Sequence, residues 1–158
     1  MKQTLEADVM PIREATENDI QFLSDLRRRS LSHWQEYIKE WIEKNIGNIR
    51  IPSESPFLNE QMFVLLERDL LVGFYKFVHH RCHRTAELVD FYLDPPSIGR
   101  GLGQYLWDDF VERARCMDCT SITIESNPHS KGFYKKQGAC RTGEVCSVDL
   151  HIKLRVQL

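Results

Sequence analysis

The sequence predicts one mixed α/β domain of the α+β kind, in which a mostly antiparallel central sheet carries helices on both faces. Three observations lead there. The chain has 158 residues, one domain by length, and 42% of them are hydrophobic, enough for a single substantial core. Two apolar runs joined by the short polar turn Arg68-Asp69 read as a hairpin, and a strand–helix–strand pattern follows, so antiparallel and parallel pairings share one sheet. The strand before that helix runs through Pro95-Pro96 into alternate glycines at 99, 101 and 103, a turn that opens a helix directly from a strand end.

Each element follows from its own pattern. Residues 1–8 read as a loose tail, and the domain is expected over 9–158. Val9 to Ala15 reads as a first strand. Thr16, with Asp19 three residues on, has the spacing of a capping box and starts a helix over about 17–30, with Ile20, Leu23 and Leu26 on one face. A second helix over about 31–46 places Trp34, Tyr37, Ile38, Trp41 and Ile42 on another face. Asn48 to Gln61, punctuated by Pro52 and Pro56, is a loop. Met62–Glu67 and Leu70–Val78 are the hairpin strands, and Thr85–Leu93 is the next strand. Leu102 to about Met117 is a helix whose apolar positions Leu102, Leu106, Phe110 and Ala114 recur every four residues. Ser121–Glu125 is a buried strand, Pro128–Gln137 a short helix, and Cys140–Val156 holds two final strands, giving the order β α α β β β α β α β β.

Composition narrows the partners. A formal net charge of −2 offers no basic footprint for nucleic acid. No apolar run approaches the roughly 18 residues of a membrane-spanning helix, and the first ten residues lack the apolar centre of a secretory signal. Five cysteines, odd in number and irregular in spacing, fit reduced thiols better than a disulfide framework. A cytoplasmic protein without nucleic-acid or membrane partners is therefore expected.

The segment from Phe91 to Gln104 has the geometry of a phosphate cradle. Glycine lets backbone N–H groups approach an anion closely, and a helix beginning near Leu102 points its positive end at the same spot. A Walker loop needs a lysine that is absent here. A dinucleotide fingerprint needs a third small residue where Gln104 or Leu106 stands, although Glu125 sits about where a ribose-binding acid would be expected. A structural glycine turn without a ligand is the bland alternative. What sets this loop apart is a second motif one helix and one strand later, Asn127 followed by Phe133-Tyr134 and Gly138.

In this order the two motifs resemble the GNAT superfamily of acyl-CoA-dependent N-acetyltransferases. That resemblance covers roughly Pro11 to Gly143 in element order, with its specific motifs between 87 and 138. It implies that Ile98, Gly99, Arg100, Gly101, Leu102, Gly103 and Gln104 wrap the pyrophosphate of acetyl-CoA, bound as a cosubstrate without any metal. It implies further that Asn127 and Phe133 hold the pantetheine arm and that the backbone N–H of Leu93 donates to the acyl oxygen. Two positions depart from the family pattern. Ile98 stands where a Gln or Arg is usual, so Arg100 is expected to supply the charge, and Ala139 stands where an aromatic usually follows the glycine.

Acyl transfer to an amine requires the amine to lose a proton and the developing oxyanion to meet a donor, and protonation of the departing thiolate helps, though less. An alkylamine with a pKa near 10.4 costs about 4.6 kcal/mol to neutralise at pH 7, so a base or a desolvated site is needed. By resemblance, Tyr134 is the candidate acid and Glu87 the candidate base. Strict strand alternation places Glu87, Val89, Phe91 and Leu93 on one face and Leu88, Asp90, Tyr92 and Asp94 on the other. A bulge reverses alternation locally, which keeps Asp90 as an alternative base. Each has a bland reading: Phe133 and Tyr134 as helix core, Glu87 as a surface residue, Asn127 as a helix cap. His79, His80, Cys82 and His83 read as a polar hairpin tip, since no second ligand pair stands at a zinc spacing. Cys116-x-x-Cys119 reads as packing, and no cysteine stands in a nucleophile setting. Arg27-Arg28-Arg29 and the stripe Trp34, Tyr37, Trp41 lie where the family shapes its acceptor site. The arginines read as a solvated face or as an attraction for an anionic group. The expectation is an N-acetyltransferase acting by direct transfer to a small-molecule or peptide primary amine, with the choice between monomer and homodimer left open. A module that binds acyl-CoA without turning it over is the rival.

Overall fold

The structure, a computed structural model, describes residues 10–34, 39–45, 60–144 and 151–158. The expected Val9, Tyr37 and Ile38, and most of the 48–61 loop, lie outside the described residues. In chain order the elements are β1 (Ile12–Glu14), α1 (Ile20–His33), α2 (Lys39–Asn45), β2 (Glu60–Glu67), β3 (Leu70–His80), β4 (Thr85–Leu93), α3 (Leu102–Cys116), β5 (Ser121–Ser126), α4 (Lys131–Lys136), β6 (Cys140–Arg141) and β7 (Ile152–Gln157). They build one seven-stranded sheet in the order β1-β2-β3-β4-β5-β7-β6. Every neighbouring pair is antiparallel except β4–β5. That pair is parallel because α3 carries the chain back across the sheet between them, as a parallel crossover requires.

Both faces are covered. Leu106, Phe110 and Ala114 of α3 are fully buried against Tyr75, Phe77 and Ile122 on one face. Leu23 and Leu26 of α1 close over Met62, Val64 and Phe74 on the other. The expected element order holds, with shifted boundaries. α1 runs three residues past the expected end because Ser30 and Leu31 are buried on its inner face. α4 starts at Lys131 because residues from Asn127 to Ser130 form a turn.

One irregularity matters for everything below. β3 and β4 pair Lys76 with Asp90 and then Phe77 with Leu88, leaving Val89 as an extra residue on β4. This bulge reverses the side-chain alternation at mid-strand. Ala86 and Leu88 before it, and Phe91 and Leu93 after it, all pack on the α3 side, while Tyr92 packs with the α1-side cluster. The expectation that Glu87 shares a face with Phe91 and Leu93 is therefore corrected. Glu87 lies opposite Val78, and Asp90 opposite Lys76, so both acids share the α1 face.

The entry to α1 forms as expected. The Asp19 carboxylate accepts the Thr16 N–H at 2.8 Å and two guanidinium N–H groups of Arg13 at 2.7 and 3.0 Å. The Arg13 bonds, chiefly, hold its pKa below the ordinary carboxylate value. A lowered carboxylate pKa contributes stability that is present above the unfolded value, about 3.9, and is lost as pH falls through the folded one. Asp19→Asn should cost about 1–2 kcal/mol at pH 7. Its gap from the parent should close below about pH 3.9, as read by denaturant melts across pH. A gap independent of pH would mean that the amide, not the charge, sets the cost.

Candidate active site

The cradle is built by backbone conformation. After β4 the chain makes a 3₁₀ turn at Pro95–Ser97, and then Gly99 and Gly101 adopt φ of +81° and +80°. Side-chain-bearing residues are strained there, and the two glycines turn the loop so that Gly101 caps α3. The unsatisfied N–H groups and positive dipole end of this 15-residue helix thus stand at the loop. Gly103, the second residue of α3, faces α4. A Cβ there would touch the Phe133 ring at 3.5 Å.

β4 and β5 then part. They pair from Thr85↔Ser121 to Leu88↔Ile124, whereas β4 follows β3 as far as Leu93↔Gly73. The next pair is hydrogen-bonded, with the Asp94 N–H donating to the Val72 carbonyl at 2.8 Å. In an antiparallel ladder hydrogen-bonded and non-bonded pairs alternate. The N–H groups of Leu93 and Phe91 therefore turn away from β3, into the wedge between β4 and β5.

A cleft of about 490 Å³ occupies this wedge and reaches the glycine loop. It brings together Leu93, Ile98, Gly99, Gly101, Gly103 and Gln104 from the first motif with Asn127, Phe133 and Tyr134 from the second. Leu102 stands behind the loop in the core, 4% exposed. Asn127 shapes the β5–α4 turn, its side-chain oxygen and carbonyl both accepting the Ser130 N–H, at 3.2 and 3.3 Å. Tyr134 is 5% exposed and lies among the rings of Phe133, Trp107 and Phe91, at centroid distances of 5.4, 5.8 and 6.3 Å. Burial, and to a lesser degree the nearby Tyr92 and Asp90, pushes its phenol pKa well up, so it holds its proton at neutral pH. Gln104 and Gln137 exchange side-chain hydrogen bonds of 3.1 and 2.7 Å, joining the start of α3 to the end of α4.

Besides Leu102, three sequence-expected residues stand outside the cleft lining. The Arg100 guanidinium turns back to the Glu67 carboxylate at the end of β2, and the cation lining the cleft is instead Lys136. Glu87 is exposed and meets the His80 imidazole at 2.6 Å. Asp90 lies beneath α1, its carboxylate 3.6 Å from the Arg27 guanidinium, with both side chains nearly buried. Burial raises its pKa, against the opposing pull of Arg27 and Lys76.

The arginine run acts on α1. Arg29 makes a bidentate pair with Asp94 at 2.9 and 3.2 Å; with Arg27–Asp90 it fastens the helix to β4 beside the cleft. The sequence reading missed Ser30, Tyr92, His129 and Lys136 as lining residues, while Trp34, from the stripe expected beside the acceptor site, does line the cleft. His129 sits inside the second motif, which was the available signal. Among the described residues no cluster of His, Cys, Asp and Glu is arranged to hold a metal ion. Burial pushes the Cys119 thiol up, and Cys82, Cys116 and Cys140 are free and exposed.

The chain resembles solved structures of known proteins over nearly its whole length. It aligns with the PaiA N-acetyltransferase of Thermoplasma acidophilum, solved with coenzyme A, at a TM-score of 0.81 and 17% identity, over 95% of this chain and 99% of that one. With an acetyltransferase from Streptococcus agalactiae the TM-score is 0.74 and the identity 21%, over 96% and 99% of the two chains. At such identities these likenesses establish the fold. By sequence it is 37% identical over 75 residues to glucosamine 6-phosphate N-acetyltransferase 1 of Oryza sativa subsp. japonica, which is 48% of this chain and 41% of the relative. It is 24% identical over 99 residues to the uncharacterized N-acetyltransferase ycf52 of Gracilaria tenuistipitata var. liui, 62% and 54% of the two. The chain thus spans about half the length of the curated relatives it matches. Residues 21–139 match the acetyltransferase (GNAT) family, a span that holds the glycine loop, the β4–β5 wedge and Tyr134. With that match and the shared fold, the chain belongs to the GNAT acetyltransferase family.

Proposed function

We propose that this chain transfers an acetyl group from acetyl-CoA directly to a primary amine held in the same cleft. The observation that carries the reading is the wedge itself. One cavity joins the positive end of α3 to the inward-turned N–H of Leu93, and Tyr134 lines it. The residues suit acetyl-CoA. Positive-φ glycines bring backbone N–H groups to a diphosphate, Lys136 adds charge, and the volume falls in the range of small-molecule sites. Neighbours of the same fold were solved with coenzyme A, which supports the choice of donor. Acetyl-CoA supplies the activated thioester. The chain supplies the loop that anchors the diphosphate, the Leu93 N–H for the acyl oxygen, and the Tyr134 proton for the departing sulfur.

For the base we assign Asp90 ahead of Glu87. Asp90 is desolvated, sits on the face of β4 that includes the cleft-lining Tyr92, and is close enough to Tyr134 to raise its pKa. Glu87 is exposed on His80. Asp90→Asn should lower turnover at neutral pH by about tenfold, with the loss shrinking at high pH, where more amine is already neutral. Glu87→Gln should show no such pH-dependent loss, and the reverse pattern would exchange the two roles. Asp90→Asn leaves Arg27 without its carboxylate, so a melting curve accompanies the assay.

The deciding experiment is release of free thiol from acetyl-CoA in the presence of a panel of primary amines. The panel includes an amino sugar phosphate, the substrate in the rice relative's name. Thiol release with at least one acceptor is the expected result. Tight acetyl-CoA binding without release for any amine would instead identify a binding module.

A further inference from the structure

The cleft has two ends. At one stand the glycine loop, Gln104, Gln137 and Lys136; at the other stand Ser30 and Trp34 of α1, Tyr92 of β4 and His129 of the β5–α4 turn. If the diphosphate lies on the glycine loop, the second end is left for the acceptor. There the indole of Trp34 and the imidazole of His129 are stacked, with centroids 4.6 Å apart and planes 12° from parallel. Trp34 closes α1, with its backbone held on the Leu31 carbonyl and His33 edge-on at 5.0 Å. His129 comes from the far side of the wedge, so the stack bridges α1 and the α4 turn across the acceptor end.

We propose that Trp34 is the specificity-determining residue of the acceptor site and that the acceptor is a primary amine carrying an aromatic ring. The inference rests on the acetyltransferase reading above and adds the substrate class. In this structure the His129 imidazole covers one face of the indole, and a flat ligand ring takes that place by displacing the imidazole. The rest of this end is aromatic or neutral, with Tyr92, Phe91 and the Ser30 hydroxyl lining it. The arginines of α1 that reach β4 here, Arg27 and Arg29, are engaged by Asp90 and Asp94. An acceptor bearing a phosphate would have to compete with those carboxylates. An aromatic ring exchanges the His129 stack for its own, an arrangement favoured beyond the area it buries.

The test compares 2-phenylethylamine, butylamine and glucosamine 6-phosphate as acceptors for the intact protein and for Trp34→Ala and Trp34→Phe. The parent should favour 2-phenylethylamine over butylamine in kcat/KM by about tenfold or more, the loss appearing in KM. Trp34→Ala should bring that ratio close to one, Trp34→Phe should restore most of it, and acetyl-CoA affinity should change far less. A parent without the aromatic preference, a preference for glucosamine 6-phosphate, or a ratio unmoved by Trp34→Ala would overturn the proposal. If no amine releases thiol, the acetyl-transfer reading fails by itself. Calorimetric binding of the same amines to the CoA-loaded protein then decides the inference: tighter binding of 2-phenylethylamine, lost in Trp34→Ala, sustains it, and equal or absent binding refutes it.

Discussion

Tyr134→Phe should lower the single-turnover rate by about a hundredfold while leaving acetyl-CoA affinity nearly unchanged. The substitution removes one oxygen from a ring that is 5% exposed and packed among Phe91, Trp107 and Phe133. The apolar contacts of that ring survive, so the core and the position of α4 should survive with them. What disappears is the proton that the proposed role of Tyr134 gives to the departing sulfur. The interaction strengthens only as negative charge develops on that sulfur, and so the loss falls on rate and not on ground-state binding. Burial raises the phenol pKa, so Tyr134 stays protonated through the neutral range. The parent's pH–rate profile should therefore show no falling limb from this group below about pH 10, the ordinary tyrosine value. A near-normal rate in a folded Tyr134→Phe protein would reduce the residue to packing and leave solvent as the proton source.

Gly101→Asp should weaken acetyl-CoA binding by about thirtyfold, roughly 2 kcal/mol, in calorimetry at low salt. Gly101 has φ of +80° and stands at the N-cap of α3. Aspartate is among the few L-residues that tolerate this conformation, and it is a favoured helix N-cap. The variant should thus fold, with the new carboxylate satisfying the helix end. That same carboxylate competes for the N–H groups that would receive the diphosphate and repels it. At about 4 Å and an effective dielectric near 20 the repulsion reaches about 4 kcal/mol before screening, and salt reduces it. The deficit should accordingly narrow as ionic strength rises. Gly101→Ala is the control, carrying the backbone strain without the charge. Equal losses in the two variants would assign the effect to loop geometry, and unchanged affinity in Gly101→Asp would remove the loop from the binding site.

Much of this protein was legible in its sequence because the signals were local. Thr16 and Asp19 are three residues apart and form the expected cap. The four-residue spacing of Leu106, Phe110 and Ala114 marks the buried stripe of α3. Alternate glycines at 99, 101 and 103 mark the loop, because the positive φ at Gly99 and Gly101 strains most side-chain-bearing residues and Gly103 lies against the Phe133 ring. Those patterns determine element order, fold class and the location of the cleft.

Only the tertiary structure decided where the charged and aromatic side chains point, since that depends on partners far away in sequence. The extra residue at Val89 turns Asp90 to the α1 face, beneath Arg27, a register choice made by pairing with β3. Arg100, placed by sequence beside a phosphate, finds Glu67 thirty-three residues away, and Lys136 stands in the cleft lining instead. Trp34 fits a helical stripe, yet it closes on His129 across the wedge. Periodicity and glycine geometry are properties of the chain itself, so they can be read from it. Ion pairs and ring stacks depend on distances between distant segments, so the fold has to form before they are settled.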